Sequence, residues 1–479
     1  MTGIDVKKYD ALIIGAGIGG LVCGCYLAQA RKKVLIIEKN IQPGGYCMSF
    51  SFNGFHFDKC AHSLGSLRHN GNIGRILDEL ELKDKIIVER HDPSNIIITP
   101  HYNIKIWNSL NKTIDEFQKN FPEERDQIKK FFKFLEKCSG LSLFCLIKIP
   151  FDVLLDRYFK NKKLKAVISL PLLGNVGLPA SRISSFTAVT LYKEFMIDGG
   201  YYPKGGMGDI AEALSGRFKE MGGEIIFSQK VKRILIENRQ AKGVSLQNDD
   251  CYFSQYVISD IDARQTFIDL IKEKDQLDKD LIADLKNMTP SLSAFILYLG
   301  VNKDFKGLPA SGHNIWYLPN YGLEELYSMA IKKKLNKLEW FLFRVGTDRK
   351  SIFALVNAPY VNKRFWQDNK QKFMKFFING LEKAIPDLAE NIVYKSAATP
   401  ITLSNWTMNH QGSAYGWEPN TSQIAKKGFS QTTCIKNLYL TGHWSTLAQG
   451  VPGVSYLGRS TANIIIKRAG FSKRRMSLA

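Results

Sequence analysis

Residues 11–20 constrain this chain more than any other stretch. The apolar run Ala11-Leu12-Ile13-Ile14 leads straight into Gly15-Ala16-Gly17-Ile18-Gly19-Gly20. An apolar helical pattern follows, and a second apolar run ends at Glu38. The order is strand, glycine turn, helix, strand, acid. Gly15 permits the tight turn, Gly17 lets the backbone approach a pyrophosphate, and Gly20 lets the helix pack closely on the strand. The helix N-terminus faces the phosphate charge. Glu38, 18 residues past Gly20, is placed to accept hydrogen bonds from a ribose hydroxyl. In this context the glycine pattern predicts a bound adenine dinucleotide.

The rest of the chain leaves this α/β theme and returns to it twice. A chain of 479 residues can bury more than one large core. Pro43-Gly44-Gly45 offers a second backbone approach to the same cofactor, and residues 50–57 read as a strand pair turning at Asn53-Gly54. Another glycine turn, Tyr202-Pro203-Lys204-Gly205-Gly206-Met207-Gly208, precedes a helical stretch at 210–221 and strands at 224–227, 231–237, 243–246 and 256–259. Near the end, Leu438-Tyr439-Leu440 reads as a buried strand, and Gly450-Val451-Pro452-Gly453-Val454 opens a helix. The expected organisation is a discontinuous dinucleotide-binding domain from residues 1–70, 200–285 and 425–470. A substrate domain is expected from 71–199 and 286–424, with a helical, membrane-facing region at 112–198 and a basic tail at 471–479. The fold class is α/β.

Charge points to the partner. There are 66 basic and 45 acidic residues, a net charge of +21. Residues 326–383 alone carry 13 Lys or Arg against 4 Asp or Glu. Such a surplus suits nucleic acid or an anionic membrane. No nucleic-acid module accompanies it, so the expected partner is an anionic membrane surface, where each basic residue contributes about 1 kcal/mol. Residues 166–181 are uncharged but interrupted by Pro171, Gly174, Gly177 and Pro179, and residues 138–147 are too short to span a bilayer. With Phe131, Phe132, Phe134, Phe151, Leu154 and Leu155, that region reads equally as a leaflet-dipping element or a domain core. The eight cysteines form no CxxC pair and no metal-like cluster, as for reduced thiols. Together with a polar start lacking a signal-peptide pattern, this predicts a cytoplasmic protein, peripheral on the membrane, without nucleic acid or metal.

Only one complete GxGxxG is present. An enzyme with separate flavin and nicotinamide units would carry two, so FAD is the expected cofactor. The helix opening at Val451–Val454 would direct backbone N–H groups towards its ring.

These motifs together resemble a known family. The opening Gly15–Gly20 with Glu38 and Gly44-Gly45, the turn Gly54-Phe55-His56-Phe57-Asp58, the segment 202–208 and the ending Thr441-Gly442-His443-Trp444 through Val454 are similar to one branch of the amine-oxidase-type flavoproteins. That branch contains the phytoene desaturases, carotenoid isomerases and retinol saturases. The resemblance implies a Rossmann-type FAD domain with an inserted α+β substrate domain built on an antiparallel sheet. It implies FAD contacts from Gly15, Gly17, Gly20, Glu38, Gly45, Val231, Gly442 and Val454, with Val231 near the adenine. It also implies an apolar, lipid-like isoprenoid substrate. The chain departs from the pattern at Leu447-Ala448-Gln449, where relatives carry Pro-Gly-Gly, and at Lys59-Cys60-Ala61-His62, where relatives show Gly-Pro.

The chemistry expected is hydride transfer at flavin N5, giving desaturation, saturation or isomerisation of carbon–carbon double bonds. His62, His443 and Tyr415, with Glu418 beside them, are the acid–base candidates, each alternatively a satisfied structural group. Trp406, Trp417 and Trp444 either wall an apolar tunnel or pack in the core. Two other readings compete: a flavin amine oxidase for a small amine, and a non-catalytic prenyl-binding escort.

Overall fold

The computed structural model describes residues 8–476, except 306–307, 309–311, 425, 427–428 and 446–448, with side chains as far as 470. The departure at Leu447-Ala448 and the side chains of the basic tail therefore lie outside the described residues.

The strand Lys8–Ile14 (β1) leads through the glycine turn into helix Ile18–Gln29 (α1) and then strand Val34–Ile37 (β2). β1 pairs in parallel with β2 on one side and with Cys251–Ser259 on the other. Ile13 stands between Ile36 and Ile258. Glu224–Ile226 joins β2, and Leu438–Leu440 joins Cys251–Ser259, both in parallel. Parallel strands are covered on both faces and so read as unbroken apolar runs, which is why Val34-Leu35-Ile36-Ile37 is buried throughout. An antiparallel extension, Val231–Glu237 with Gln240–Leu246, completes seven strands. α1 is buried along almost its whole length, packed against the terminal helix Gly450–Met476.

The second sheet also has seven strands. Ser293–Val301 lies between Ile392–Ala398 and Ser351–Ala358; Phe341–Val345, Asn314–Tyr317, Asn95–Ile98 and Asn103–Ile106 follow. Every pair is antiparallel except Asn314–Tyr317 with Asn95–Ile98. The fold class expected from the sequence is thus borne out, with one parallel pairing inside the second sheet. Helix Lys363–Glu382 covers the sheet through Phe373 and Phe377, both packed on Phe295. The hairpin at Asn53-Gly54 forms between Ser49–Phe52 and Phe55–Asp58.

The helical region resolves its two readings residue by residue. Phe131, Phe132, Phe151, Leu154 and Leu155 are core. Leu141 and Phe144 of the short helix Gly140–Phe144, and nearby Val153, are 81, 53 and 44% exposed. The expected interruption at Pro171 and Gly174 is corrected: one helix, Lys162–Val176, runs through both and ends only at Gly177. Burial of Val167, Ile168, Leu170, Leu172 and Leu173 outweighs the hydrogen bond that proline removes. Among the described residues no helix is long and apolar enough to cross a membrane, and no His, Cys, Asp or Glu cluster suits a metal.

Candidate active site

The glycine turn sits at the carboxyl ends of the parallel strands, where open α/β sheets place their ligands. Gly15, at φ +99°, turns the chain and donates its N–H to Ile37 at 2.9 Å. Glu38 clasps the turn from the other side. One carboxylate oxygen accepts the Ala16 amide and the other the Asn40 amide, both at 2.8 Å. Each oxygen keeps a further lone pair. Gly44 closes against Ala16 through a 2.8 Å backbone bond. Gly20 faces inward instead, in close approach to the Gly15 carbonyl, so its part is helix-on-strand packing.

A cavity of about 360 Å³ opens from this turn, within the usual range for small-molecule sites, roughly 300–1,000 Å³. Of the residues expected to hold the cofactor, Gly15, Gly17, Glu38, Gly45, Val231, Gly442 and Val454 line it, and Gly20 does not. Val231 is brought beside Glu38 because the Gln229 amide donates to the Glu38 carbonyl at 3.0 Å. His62, His443 and Tyr415 line the same cavity, as do Trp406, Trp417 and Glu418. Trp444 does not; it is core, with its indole N–H on Asn409 Oδ1 at 2.8 Å. The cavity continues to Val176, Phe186, Leu191 and Phe195. The last two border or belong to a π-helical turn, Tyr192–Ile197, a feature that recurs at functional sites.

The polar candidates differ in what holds them. Tyr415 donates its hydroxyl to the Gly174 carbonyl at 2.6 Å, and burial drives its pKa far up. His443 Nε2 pairs with the Asn409 carboxamide at 3.2 Å, and burial lowers its pKa to about 4. Glu418 is tied to Arg182 at 3.0 Å and to the Tyr327 hydroxyl at 3.1 Å. In His62 the buried Nε2 has no partner. Burial, helped by the Arg344 guanidinium, pushes its pKa down to about 3, against a hydrogen bond from the ring to the Cys60 backbone that raises it.

Arg344 is a residue that motif reasoning missed. It is 2% exposed, donates to the His62 carbonyl, lies 3.6 Å over the Tyr202 ring and approaches Asp58 at 3.9 Å. The signal was a lone arginine inside the apolar run Phe341-Leu342-Phe343-Arg344-Val345. Asp260 was missed as well, whereas Gln449 was singled out as a departure from the family pattern. Asp260 follows strand Cys251–Ser259 and reaches the glycine turn. Gln449, which lines the cavity, donates to the Trp417 carbonyl at 2.7 Å, and its buried Oε1 has no partner.

A glycine-turned Rossmann unit whose crevice runs into a cavity over a second, mainly antiparallel sheet defines a dinucleotide-binding protein of the oxidoreductase type. Residues 13–80 match the NAD(P)-binding Rossmann-like domain family. The chain is similar to prolycopene isomerase of Daucus carota, 27% identical over 98% of this chain and 82% of that one. It is also similar to all-trans-retinol 13,14-reductase of Danio rerio, 25% identical over 91% of this chain and 82% of that one. Wild-type putrescine oxidase bound to putrescine has the same fold, with a TM-score of 0.65 at 15% identity, covering 96% of this chain and 99% of that one. The resemblance to the carotenoid isomerase and retinol saturase branch is borne out, and the relatives that match along most of the chain are enzymes.

Proposed function

We propose that this chain is an FAD-dependent oxidoreductase acting on a long apolar isoprenoid or polyene. One observation carries the reading: a single cavity joins the dinucleotide turn to a recess lined by Val176, Phe186, Leu191 and Phe195, with Asn175, Thr187, Thr190 and Glu194 among them. The residues fit FAD. Gly17 and Gly442 have no room for a Cβ against the Asp260 carboxylate and so hold their backbones close to it on the cavity, Glu38 retains lone pairs for ribose hydroxyls, and Gln449 offers an unpaired acceptor beside the helix start at Gly450. Gly15, Gly17, Glu38, Gly45, Val231, Gly442 and Val454 would hold it, with Gly20 supporting the turn. Bound there, FAD supplies hydride transfer at its N5 atom.

The chain's own residues set what accompanies that transfer. His62 is neutral, and its bare Nε2 accepts a proton but has none to give. A C–H next to positive charge developing on a polyene is a strong acid, so a weak base suffices. This supports proton removal from the substrate, as desaturation or double-bond migration requires. Tyr415 and His443, each committed to a neighbour, shape the cavity wall.

The supply route follows from the surface. Phe144, exposed beside Leu141, packs on Phe186 with ring centroids 5.6 Å apart, and Phe186 lines the cavity. In this reading the patch dips into one leaflet of an anionic membrane, and the net charge of +21 holds the protein there.

The test is mass spectrometry of apolar lipids from cells that make a polyene, with and without this chain. A shift of two mass units per step, or an unchanged mass with altered retention, is expected. An unaltered lipid profile alongside yellow, flavin-loaded protein would overturn the substrate class. Peroxide release with small amines instead would assign the amine oxidase reading.

A further inference from the structure

Glycines from two distant stretches converge on one carboxylate. A Cβ added at Gly17 or Gly19 would stand 2.5 or 2.6 Å from a carboxylate oxygen of Asp260, and one at Gly442 closer still. The amides of Gly20 and Gly17 hydrogen-bond to the same carboxylate. The seat that the α1 N-terminus offers to phosphate is therefore filled by an acidic side chain of the chain itself.

The surroundings disfavour charge on that acid. Asp260 opens only to the cavity and otherwise lies deep in the molecule, and this burial is the main cause that raises its pKa to about 8. From β2, Glu38 adds negative charge; the two glycine amides pull the other way. From α1, Cys23 contributes a thiol kept neutral by burial. From the turn Gly442–Trp444, His443 lines the same cavity as a neutral imidazole.

We propose that Asp260 occupies the diphosphate cradle as the neutral acid, and that a dinucleotide is taken up together with this proton, the Asp260 O–H donating to a phosphate oxygen. An ionised carboxylate and a diphosphate repel each other in one nest, whereas a carboxylic acid and a diphosphate share a hydrogen bond. Once Asp260 has ionised in the free protein, each binding event draws one proton from solvent. The inference rests on the FAD reading above and concerns how the cofactor is admitted.

The experiment measures binding of ADP-ribose, a diphosphate without a flavin, to the full-length chain freed of flavin, between pH 6.5 and 9.5. Calorimetry in two buffers of different ionisation enthalpy counts the protons. The expected Kd is flat below about pH 7.5 and rises about tenfold per pH unit above pH 8, with one proton taken up. Asp260→Asn, whose carboxamide N–H donates in place of the proton, is expected to bind with no pH dependence. Asp260→Ala is expected to be equally flat but weaker at pH 7. A flat wild-type profile, or an unchanged slope in Asp260→Asn, overturns the inference while leaving the cofactor reading intact. A chain that binds neither ADP-ribose nor FAD at any pH overturns both.

Discussion

Buried residues of one type do different work here according to what their spare atoms meet. His443 spends its Nε2 on Asn409, whereas the buried Nε2 of His62 has no partner. We expect His62→Gln to lower turnover at least tenfold with flavin retained, since general base contributions run to about 10²–10⁴-fold; steady-state kinetics beside the flavin absorbance checks this. The same histidine shapes acid sensitivity. Its folded pKa of about 3 lies below the unfolded value of about 6.5, so between those limits the unfolded chain binds a proton that the folded chain refuses. Stability falls as pH falls through that window. His62→Gln is therefore expected to narrow the gap between the melting temperatures at pH 7 and pH 5. Arg344→Met removes the cation near Asp58 and over Tyr202. It should cost about 3–5 kcal/mol in urea unfolding, the usual penalty for breaking a buried pair. The glycine turn and Glu38 were legible in the sequence because their work is local, done within one strand–helix–strand unit. Asp260 and Arg344 were not, because their partners lie hundreds of residues away in the chain, and only the fold brings them together.

At the scale of elements, the sequence signals and the packing sometimes disagree. Pro171 and Gly174 read as breaks, yet helix Lys162–Val176 passes through both because its faces are buried all round. Gly174 is there for space: a Cβ would enter the indole of Trp316, itself pinned by a 2.9 Å bond from its N–H to Asn95 Oδ1. Gly174→Ala should destabilise by about 1–3 kcal/mol through overpacking, read from the midpoint of chemical unfolding. It should also disturb the cavity, since Tyr415 hangs on the Gly174 carbonyl. The short helix Gly140–Phe144 shows the opposite case. The apolar run was visible, but which of its residues face outward follows from how the helix packs on Ser185–Leu191 through Phe186. The double variant Leu141→Asp, Phe144→Asp is expected to sediment poorly with anionic vesicles while melting as the parent does. Unchanged sedimentation would remove this helix from the membrane contact.

For the whole molecule, two sheets divide the labour: the parallel one supplies the turn, and the mainly antiparallel one carries the second core. Strand-like pattern was legible in both, at 292–299, 340–345 and 352–357 for the second, but the pairing of the second was not. The parallel pairing of Asn314–Tyr317 with Asn95–Ile98 had no local signature, because strands more than 200 residues apart choose partners by tertiary packing. Since the crevice draws on β1, β2, the Asp260 segment and the terminal helix at once, its occupant should brace the entire fold. Removing flavin is expected to lower stability by about 4 kcal/mol if the cofactor is present at a thousandfold excess over its Kd, seen as a melting transition that moves back up when FAD is restored.

Gly442 and the start of the last helix complete a nest that opens at Gly15, so the seat is assembled from stretches far apart in the chain. A product truncated before residue 442 is therefore expected to lack the closing side of that nest and to emerge colourless, whatever else it had folded.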